Sequence, residues 1–197
     1  MRVIVEGLIG VGKSTFTKEF AKIHKIDPMY ESVEDNPFLS KFYEEPKRWA
    51  YTLQMHFLYD RYSKHLPENI VLDRSIWGDL CFANILREDG TLSEEEYQSY
   101  LGHSKILTGH VPKVDLCIHL DVPVYKAMDR INKRGRGFES SISENYLVRL
   151  KKEIDSLPSF LPPNVKYMKI EWGDMSPSQI TDYISNLELK KDPLPSR

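Results

Sequence analysis

Gly7-Leu8-Ile9-Gly10-Val11-Gly12-Lys13-Ser14 is the stretch of sequence that decides the fold. It matches the pattern G-x-x-x-x-G-K-[ST] in full. Before it, the β-branched run Val3-Ile4-Val5 predicts a short buried strand. After it, apolar residues recur at helical spacing through residues 13–24 and predict a helix. A strand, a glycine-rich loop and a helix in this order are typical of a loop that wraps a phosphate chain.

The chemistry of this loop suits the phosphates of a nucleotide. Glycines let the backbone turn tightly with its N–H groups pointing inward, and the next helix presents the positive end of its dipole. Lys13 adds a positive charge for the β- and γ-phosphates, and the Ser14 hydroxyl can bind Mg²⁺. The residues expected to bind ATP here are Gly7, Gly10, Val11, Gly12, Lys13, Ser14 and Thr15. The loop by itself leaves ATPase, GTPase and kinase open.

The rest of the chain alternates between predicted strands and predicted helices. The predicted strands cover residues 3–5, 29–31, 69–73, 114–120 and 165–170. The predicted helices cover residues 13–24, 46–64, 76–86, 93–107, 124–133, 144–157 and 177–187. This alternation predicts an α/β fold of the P-loop kinase kind, with about five parallel strands and helices on both faces of the sheet. We expect residues 1–197 to form one domain, with residues 190–197 as a frayed tail.

The composition limits the classes of function. The net charge of −2 argues against nucleic acid as a partner, and 41% hydrophobic with 28% charged residues is an ordinary soluble mixture. The two cysteines lack CxxC spacing, which argues against a disulfide framework or a zinc site and favours the reducing cytoplasm. The sequence shows neither a targeting segment nor an apolar run long enough to span a bilayer, so we expect no membrane association.

Acidic residues follow several predicted strands. In an open parallel sheet, ligands bind outside the carboxyl ends of the strands. Asp73 ends one strand in the position of an acid that supports Mg²⁺, and Arg74 beside it faces the same site. Glu31 is a candidate base, because a hydroxyl that attacks a γ-phosphoryl group must be positioned and must lose its proton. Asp121 is expected to cap the helix that follows it.

A basic segment at about residues 130–140 is predicted to form a lid. Arg130 and Arg134 are four residues apart and so share one helix face, and Arg136 lies between two glycines. Mobile arginines that close over a transferring phosphoryl group stabilise its charge and exclude water. Small-molecule kinases need such a lid and hydrolytic switches do not, so loop and lid together favour a phosphotransferase.

These motifs, in this order, resemble the deoxynucleoside kinase family, particularly its bacterial deoxyadenosine/deoxyguanosine kinases. The resemblance runs from the N-terminus to about residue 150. Besides the phosphate loop, the matching motifs are Tyr30-Glu31-Ser32-Val33-Glu34-Asp35-Asn36-Pro37, Phe42-Tyr43-Glu44-Glu45-Pro46-Lys47-Arg48-Trp49-Ala50, Leu53-Gln54, Asp73-Arg74-Ser75 and Lys133-Arg134-Gly135-Arg136. The chain is short for the family, which suggests trimmed loops, as in a phage-encoded member. The implied activity is ATP–Mg²⁺-dependent phosphorylation of a deoxynucleoside 5′-hydroxyl.

The resemblance implies roles in the reaction for the matching positions. Glu31 looks like the general base that accepts the 5′-hydroxyl proton, and Arg74 looks like the arginine near that hydroxyl and the phosphoryl group. Ser14 and Asp73 are similar to the residues that support Mg²⁺. The positions that resemble the lid arginines are Arg130, Arg134 and Arg136.

Other positions resemble the acceptor site of the family. Tyr43 and Glu139 resemble the pair that holds the sugar 3′-hydroxyl. Gln54 looks like the amide that reads the base edge, since an amide offers both a donor and an acceptor. Arg61, seven residues further along the same predicted helix, and Asp79 look like its companions.

The sequence departs from the family pattern beside the base. Many relatives place an aromatic residue four positions after the acid at Asp79, where it stacks on the base, but here that position is Ala83. We expect Phe82 to take the stacking role through a one-residue shift. The donor-base loop should lie near residues 171–175, with a helix-capping turn at Trp172-Gly173-Asp174 as the alternative.

The resemblance also bears on substrate and assembly. Residues 31–36 resemble the purine branch of the family, so purine deoxynucleosides are the predicted substrates and pyrimidine deoxynucleosides the alternative. The nearest rival is a nucleoside monophosphate kinase such as a thymidylate kinase, but Glu31 would repel an acceptor phosphate. A regulatory nucleotide-binding module without turnover would lack Glu31 or the lid arginines. Relatives imply a homodimer, with helices 46–64 and 76–86 packing across it.

Overall fold

The computed structural model describes residues 1–186, except Ser32, Glu34, His65, Asp174 and Ser176. Its strands are β1 (Arg2–Gly7), β2 (Asp27–Met29), β3 (Ile70–Asp73), β4 (Leu116–Asp121) and β5 (Lys166–Glu171). They form one parallel sheet in the order β2-β3-β1-β4-β5. The predicted parallel sheet is confirmed, and β2 begins and ends two residues before its predicted bounds.

Helices connect consecutive strands, and a final helix follows β5. They are α1 (Lys13–His24), α2 (Leu39–Glu44), α3 (Pro46–Ser63), α4 (Gly78–Glu88), α5 (Glu94–Thr108), α6 (Val124–Arg134), α7 (Glu144–Asp155) and α8 (Pro177–Ser185), with 3₁₀ turns at Gly137–Ser141 and Leu157–Ser159. Every predicted helix is present, whereas α2 was not predicted. The predicted helix end at Leu187 and the tail 190–197 lie outside the described residues. Over the described part of the chain, no helix is both long and apolar enough to cross a membrane.

Strand β1 lies at the centre of the sheet and is buried on both faces. Val3, Ile4 and Val5 are at most 1% exposed, and consecutive side chains of a strand point to opposite faces. Helices therefore cover both sides, which explains why the strand reads as a continuous β-branched run. The register pairs Val5 with Asp73 of β3, so the carboxyl ends of β1 and β3 lie side by side.

Asp121 does not cap helix α6, contrary to the sequence prediction. The residue at the N-cap is Pro123, and no side chain caps this helix end. Instead, the Asp121 carboxylate accepts hydrogen bonds from Lys151 of α7 and from Lys169 of β5, and Lys169 also pairs with Asp155 at 2.5 Å. His119, Asp121 and Asp155 approach one another closely, but the two ammonium groups already neutralise these carboxylates. The cluster is therefore an ion-pair network that joins α7 to the sheet.

His119 should make the stability of the fold depend on pH. Burial, reinforced by the Lys169 ammonium, lowers the pKa of His119 to about 4 from an ordinary value of 6.5. Because the unfolded chain then binds the proton more readily, stability is complete above about pH 6.5 and declines as the pH falls toward 4. We expect the wild type to lose about 2 kcal/mol between pH 7.5 and pH 5 through this residue.

Urea unfolding of the wild type and of His119→Gln at both pH values measures this contribution. The variant keeps a side chain that can hydrogen-bond the Tyr167 hydroxyl, which lies 2.6 Å from His119 Nδ1 in the wild type. It should lose less stability than the wild type over the same pH interval. Equal losses in the two proteins would mean that His119 does not titrate in this window.

Candidate active site

A cavity of about 900 Å³ lies at the carboxyl ends of β1 and β3, a volume typical of small-molecule sites. Most of the predicted site residues line it. They are Gly10, Gly12, Lys13, Ser14, Thr15, Glu31, Tyr43, Gln54, Asp73, Arg74, Asp79, Phe82, Arg130, Arg134, Arg136 and Glu139. Three predicted residues, Gly7, Val11 and Arg61, do not line this cavity. The fold thus brings together residues from all three thirds of the described chain.

The phosphate loop connects β1 to α1 and depends on glycine. Gly10 has a φ of 79°, and a Cβ there would lie 2.5 Å from the carbonyl oxygen of Ala127, so only glycine fits. The Lys13 ammonium is buried and donates hydrogen bonds to the carbonyl oxygens of Leu8 at 2.9 Å and Gly7 at 3.4 Å. Burial, aided by the Arg74 guanidinium, lowers the pKa of Lys13 to about 8. Lys13 thus carries a positive charge at neutral pH beside the loop.

Ser14 and Asp73 form a corner that suits a hard cation. The Ser14 hydroxyl donates a hydrogen bond of 2.5 Å to Asp73 Oδ2. Asp73 is 5% exposed, and its Oδ1 has no hydrogen-bond partner among the described residues. A hydroxyl and a carboxylate are oxygen ligands of the kind that Mg²⁺ uses together with phosphate oxygens. The residues therefore fit the divalent metal that phosphoryl transfer from ATP employs.

Glu31 follows β2 and lies between two guanidinium groups. Its Oε1 accepts from Arg61 Nη2 at 2.8 Å, and its Oε2 accepts from Arg74 Nε at 3.3 Å. Burial raises the pKa of Glu31, but the charges of Arg74 and Arg61 outweigh that effect and leave the pKa below its usual value. Arg61 also donates to Asp79 Oδ2 at 2.5 Å. Glu31 is therefore an ionised carboxylate that faces the cavity, and Arg61 supports it from behind.

The wall formed by α3 and α4 is partly apolar. Gln54 is 4% exposed and lines the cavity, and its Oε1 has no hydrogen-bond partner among the described residues. Phe82 also lines the cavity, with its ring 4.6 Å from the Arg74 guanidinium carbon, whereas Ala83 is fully buried away from it. An unsatisfied amide beside an aromatic ring offers hydrogen bonding and stacking to a planar ligand. Phe82 thus lines the cavity and Ala83 does not, which agrees with the expected one-residue shift of the aromatic side chain.

Tyr43 of α2 and Glu139 of the Gly137–Ser141 turn also line the cavity. Burial, with the Glu139 carboxylate adding to it, raises the pKa of Tyr43 to about 12, so its hydroxyl remains a donor at neutral pH. Glu139 is 6% exposed and accepts from Arg134 at 2.6 and 2.7 Å, and Arg136 lies 3.8 Å from it. Two of the predicted lid arginines therefore meet Glu139 at the cavity.

Arg130 differs from the other two predicted lid arginines. Its guanidinium donates to the carbonyl oxygen of Val11 at 2.7 Å and to that of Gly173 at 3.0 Å. It therefore joins helix α6, the phosphate loop and the segment after β5. The buried ring of Trp172 lines the cavity beside this point and packs edge-on against Phe16. Asp174, the last residue of the predicted turn, lies outside the described residues.

Sequence reasoning missed several residues of this region. Phe57 of α3 and Tyr146 of α7 both line the cavity. Phe57 lies three residues after Gln54 on the same helix face, so helical spacing was a usable signal. Glu6, 1% exposed in β1, lies directly behind Arg74. An acid at the end of a buried run of β-branched residues is a visible anomaly, but its partners Arg74 and Ser75 are distant in sequence.

Comparisons with known proteins agree with this geometry. The sequence model described as "Deoxynucleoside kinase" matches residues 3–183. The chain is 30% identical over 188 residues to a deoxyadenosine kinase of Dictyostelium discoideum, covering 92% of this chain and 77% of that one. It is 40% identical over 146 residues to a deoxyguanosine kinase of Lactobacillus johnsonii, covering 70% and 65%.

A solved structure, that of a deoxyadenosine kinase from M. mycoides with bound dATP, superposes with a TM-score of 0.81. The identity is 26%, and the match covers 94% of this chain and 98% of the other. This likeness confirms the P-loop kinase fold that the phosphate loop predicted. With a phosphate loop, an ionised carboxylate and an arginine-rich turn around one cavity, the chain belongs to the deoxynucleoside kinase family and is an ATP-dependent deoxynucleoside kinase.

Proposed function

We propose that this kinase transfers the γ-phosphoryl group of ATP to the 5′-hydroxyl of a purine deoxynucleoside. The observation that carries the proposal is Glu31, an ionised carboxylate in the same cavity as the phosphate loop. A carboxylate can accept a hydrogen bond from a neutral hydroxyl, whereas it would repel the phosphate of a nucleotide acceptor. The purine preference is supported by residues 31–36 and by relatives named for deoxyadenosine and deoxyguanosine.

In the proposed reaction, Glu31 accepts a hydrogen bond from the 5′-hydroxyl. This hydrogen bond orients the hydroxyl oxygen toward the γ-phosphorus. The new O–P bond forms as the bond to the β–γ bridging oxygen breaks, the hydroxyl proton passes to Glu31, and ADP leaves. Lys13, Arg74, Arg134 and Arg136 offset the charge on the phosphoryl oxygens. Because the pKa of Glu31 is low, it orients the hydroxyl first and takes the proton late, as a loose transition state requires.

We assign the divalent metal as Mg²⁺, held by Ser14 and Asp73. When bound, Mg²⁺ neutralises β- and γ-phosphate oxygens. This assignment is supported by the short Ser14–Asp73 contact and by Asp73 Oδ1, which has no hydrogen-bond partner in the described part of the chain. The oxygen donors of this corner suit Mg²⁺ better than softer metals that prefer thiolate or imidazole ligands.

Tyr43 and Glu139 are proposed to hold the sugar 3′-hydroxyl. Tyr43→Phe removes one donor from this site, so KM for the deoxynucleoside should rise about tenfold while kcat changes less than about threefold. With a 2′,3′-dideoxynucleoside, which lacks the 3′-hydroxyl, the wild type and the variant should have similar KM values. Steady-state kinetics with both acceptors measure this difference. An equal rise in KM for both acceptors would remove Tyr43 from the 3′-hydroxyl contact.

Gln54 and Phe82 are proposed to contact the acceptor base, with the amide reading its edge and the ring against its face. A panel of deoxyadenosine, deoxyguanosine, deoxycytidine and thymidine with ATP–Mg²⁺ tests the preference. We expect kcat/KM for at least one purine deoxynucleoside to exceed that for either pyrimidine by about tenfold or more. Thymidine monophosphate, added as a fifth acceptor, should not be phosphorylated. Faster turnover of a pyrimidine deoxynucleoside would sink the purine assignment while leaving the kinase assignment intact.

We also propose that residues 1–197 act as one domain and that the enzyme is a cytoplasmic homodimer. Helix α4 exposes only Arg87 and Glu88, at its C-terminal end, so we place the proposed interface on α3 and α5. Tyr59 of α3 and Ile106 of α5 are 66% and 63% exposed, and these two helices pack against each other. Sedimentation at twice the chain mass of 23.0 kDa would support the dimer, and a 23.0 kDa species at micromolar concentration would contradict it.

A further inference from the structure

Glu6 is a buried carboxylate that the reaction described above does not use. It belongs to β1, directly before the phosphate loop, and is 1% exposed. Its Oε1 accepts a hydrogen bond of 2.6 Å from the Ser75 hydroxyl, and its Oε2 lies 3.9 Å from Arg74 Nη1. Glu6 does not line the cavity, whereas Arg74 does. Among the described residues, Glu6 therefore reaches the site through Arg74, and Ser75 holds its other oxygen from outside the cavity.

The start of helix α4 leaves room for this carboxylate. A Cβ on Gly78 would lie 2.3 Å from Glu6 Oε1, so any larger residue would displace it. The Gly78 N–H donates to the Ser75 hydroxyl at 3.2 Å, which in turn donates to Glu6. Burial raises the pKa of Glu6, while the Arg74 guanidinium and the Ser75 hydroxyl oppose that rise. Burying a carboxylate is costly unless it is paired, and Arg74 is the cation nearest to it among the described residues.

The backbone and side chain of Arg74 are held from several directions. Its φ of 72° is in the left-handed region, which is unfavourable for a residue with a side chain. Its N–H donates to the carbonyl oxygen of Val5 at 3.0 Å, which fixes it beside Glu6. The guanidinium lies between Glu31, Glu6 and the ring of Phe82. Strained backbone of this kind persists only where the surroundings determine it and is common at functional sites.

We propose that Glu6 is a positioning residue for phosphoryl transfer, acting by holding the Arg74 guanidinium toward the reacting groups. The proposal rests on the role assigned to Arg74 in the proposed function. At 3.9 Å the contact is an ion pair without a hydrogen bond, so it fixes the charge and leaves Arg74 Nη1 available, since that nitrogen has no hydrogen-bond partner among the described residues. Without Glu6, Glu31 would be the carboxylate left to pair with Arg74 among the described residues, while Asp79 would still pair with Arg61. Arg74 would then bind Glu31 more closely, which hinders Glu31 from meeting the acceptor hydroxyl.

A double-mutant cycle tests whether Glu6 acts through Arg74. The proteins are the wild type, Glu6→Gln, Arg74→Ala and the double variant, all full-length. The glutamine side chain would keep the volume and the oxygen that accepts from Ser75 but would remove the charge. We expect Glu6→Gln to lower kcat about tenfold with KM values for ATP and the deoxynucleoside within about threefold. In the Arg74→Ala background, the same change should alter kcat less than about twofold.

Two further variants separate positioning from support of the fold. Ser75→Ala breaks the hydrogen bond to Glu6 but keeps the ion pair, so kcat should stay within about threefold of the wild type. Gly78→Ala keeps both charges but displaces the Glu6 carboxylate. It should therefore lower kcat when Arg74 is present and not in the Arg74→Ala variant. This substitution tests the same coupling if Glu6→Gln does not fold. Ile118→Val, on neighbouring β4 and fully buried, is the control for a mild loss of core stability.

The outcomes distinguish this inference from the function on which it rests. If Glu6→Gln lowered kcat by the same factor with Arg74 present and in the Arg74→Ala variant, the positioning role would be overturned, because Glu6 would then act independently of Arg74. A loss from Ser75→Ala as large as that from Glu6→Gln would also overturn it in favour of a structural role. An unchanged kcat for Arg74→Ala would overturn the role of Arg74 itself, and with it the inference. If Glu6→Gln lowers kcat when Arg74 is present but not in the Arg74→Ala variant, Glu6 acts through Arg74.

Discussion

Glu31→Gln is expected to lower kcat about 10²-fold or more, with KM for ATP and for the deoxynucleoside changed only modestly. Glutamine keeps the volume of the side chain and an oxygen that can accept from Arg61. It cannot take the hydroxyl proton, and its amide N–H₂ would face the Arg74 guanidinium now 3.3 Å from Oε2. Steady-state kinetics at saturating ATP–Mg²⁺ measure the loss.

Glu44→Gln provides a matched control for this experiment. Glu44 is an exposed glutamate at the end of α2 and lies outside the cavity. Its replacement removes the same charge and should leave kcat within about twofold of the wild type. A comparable kcat for Glu31→Gln and the wild type would show that the hydroxyl needs no carboxylate, and would withdraw the base role.

Lys13→Met is expected to lower kcat/KM for ATP by roughly 10³-fold. Methionine has a similar length but no charge, so it cannot neutralise the β- and γ-phosphate oxygens. Because the Lys13 ammonium is 7% exposed and already points into the loop, its contribution is made in a site from which water is largely excluded. Binding of the deoxynucleoside, measured by calorimetry without ATP, should remain close to that of the wild type.

Lys18→Met is the control for Lys13, since Lys18 is an exposed lysine on the same helix α1. Its loss should leave kcat/KM within about twofold. If Lys13→Met instead weakened deoxynucleoside binding and ATP use to the same extent, the substitution would have damaged the whole cavity. The assignment of Lys13 to the phosphates would then lose its support.

The sheet and its order of helices were predictable because they rest on local signals. Strands buried on both faces read as continuous apolar runs, and the phosphate-loop pattern fixed the first strand, loop and helix. Helix α2 was missed because six residues are too few to show a helical period, and only Leu39 among them is buried. Asp121 was placed wrongly because lysines from α7 and β5, far along the chain, reach its carboxylate.

The part of the candidate site that could be predicted consists of motif residues that lie at the carboxyl end of a predicted strand. Glu31, Asp73 and Arg74 follow strands whose carboxyl ends meet at one edge of the sheet, so their convergence follows from the parallel topology. Sequence spacing could not show that Arg61 lies behind Glu31 and outside the cavity, since a shared helix face does not fix what lies opposite it. Glu6 and Arg74 are 68 residues apart, and only tertiary packing brings them together.

Arg130 links the phosphate loop to the segment after β5, two segments that also meet through Trp172. One guanidinium holds the backbone of the phosphate loop at Val11 and the backbone after β5 at Gly173. The sequence predicts the donor-base loop at residues 171–175, and a redesign of that segment should therefore shift the phosphate loop unless Arg130 kept both bonds. Donor specificity and phosphate affinity in this kinase should thus change together under mutation. Libraries that vary residues 171–175 and position 130 at once are better suited to separate the two properties than libraries that vary one segment alone.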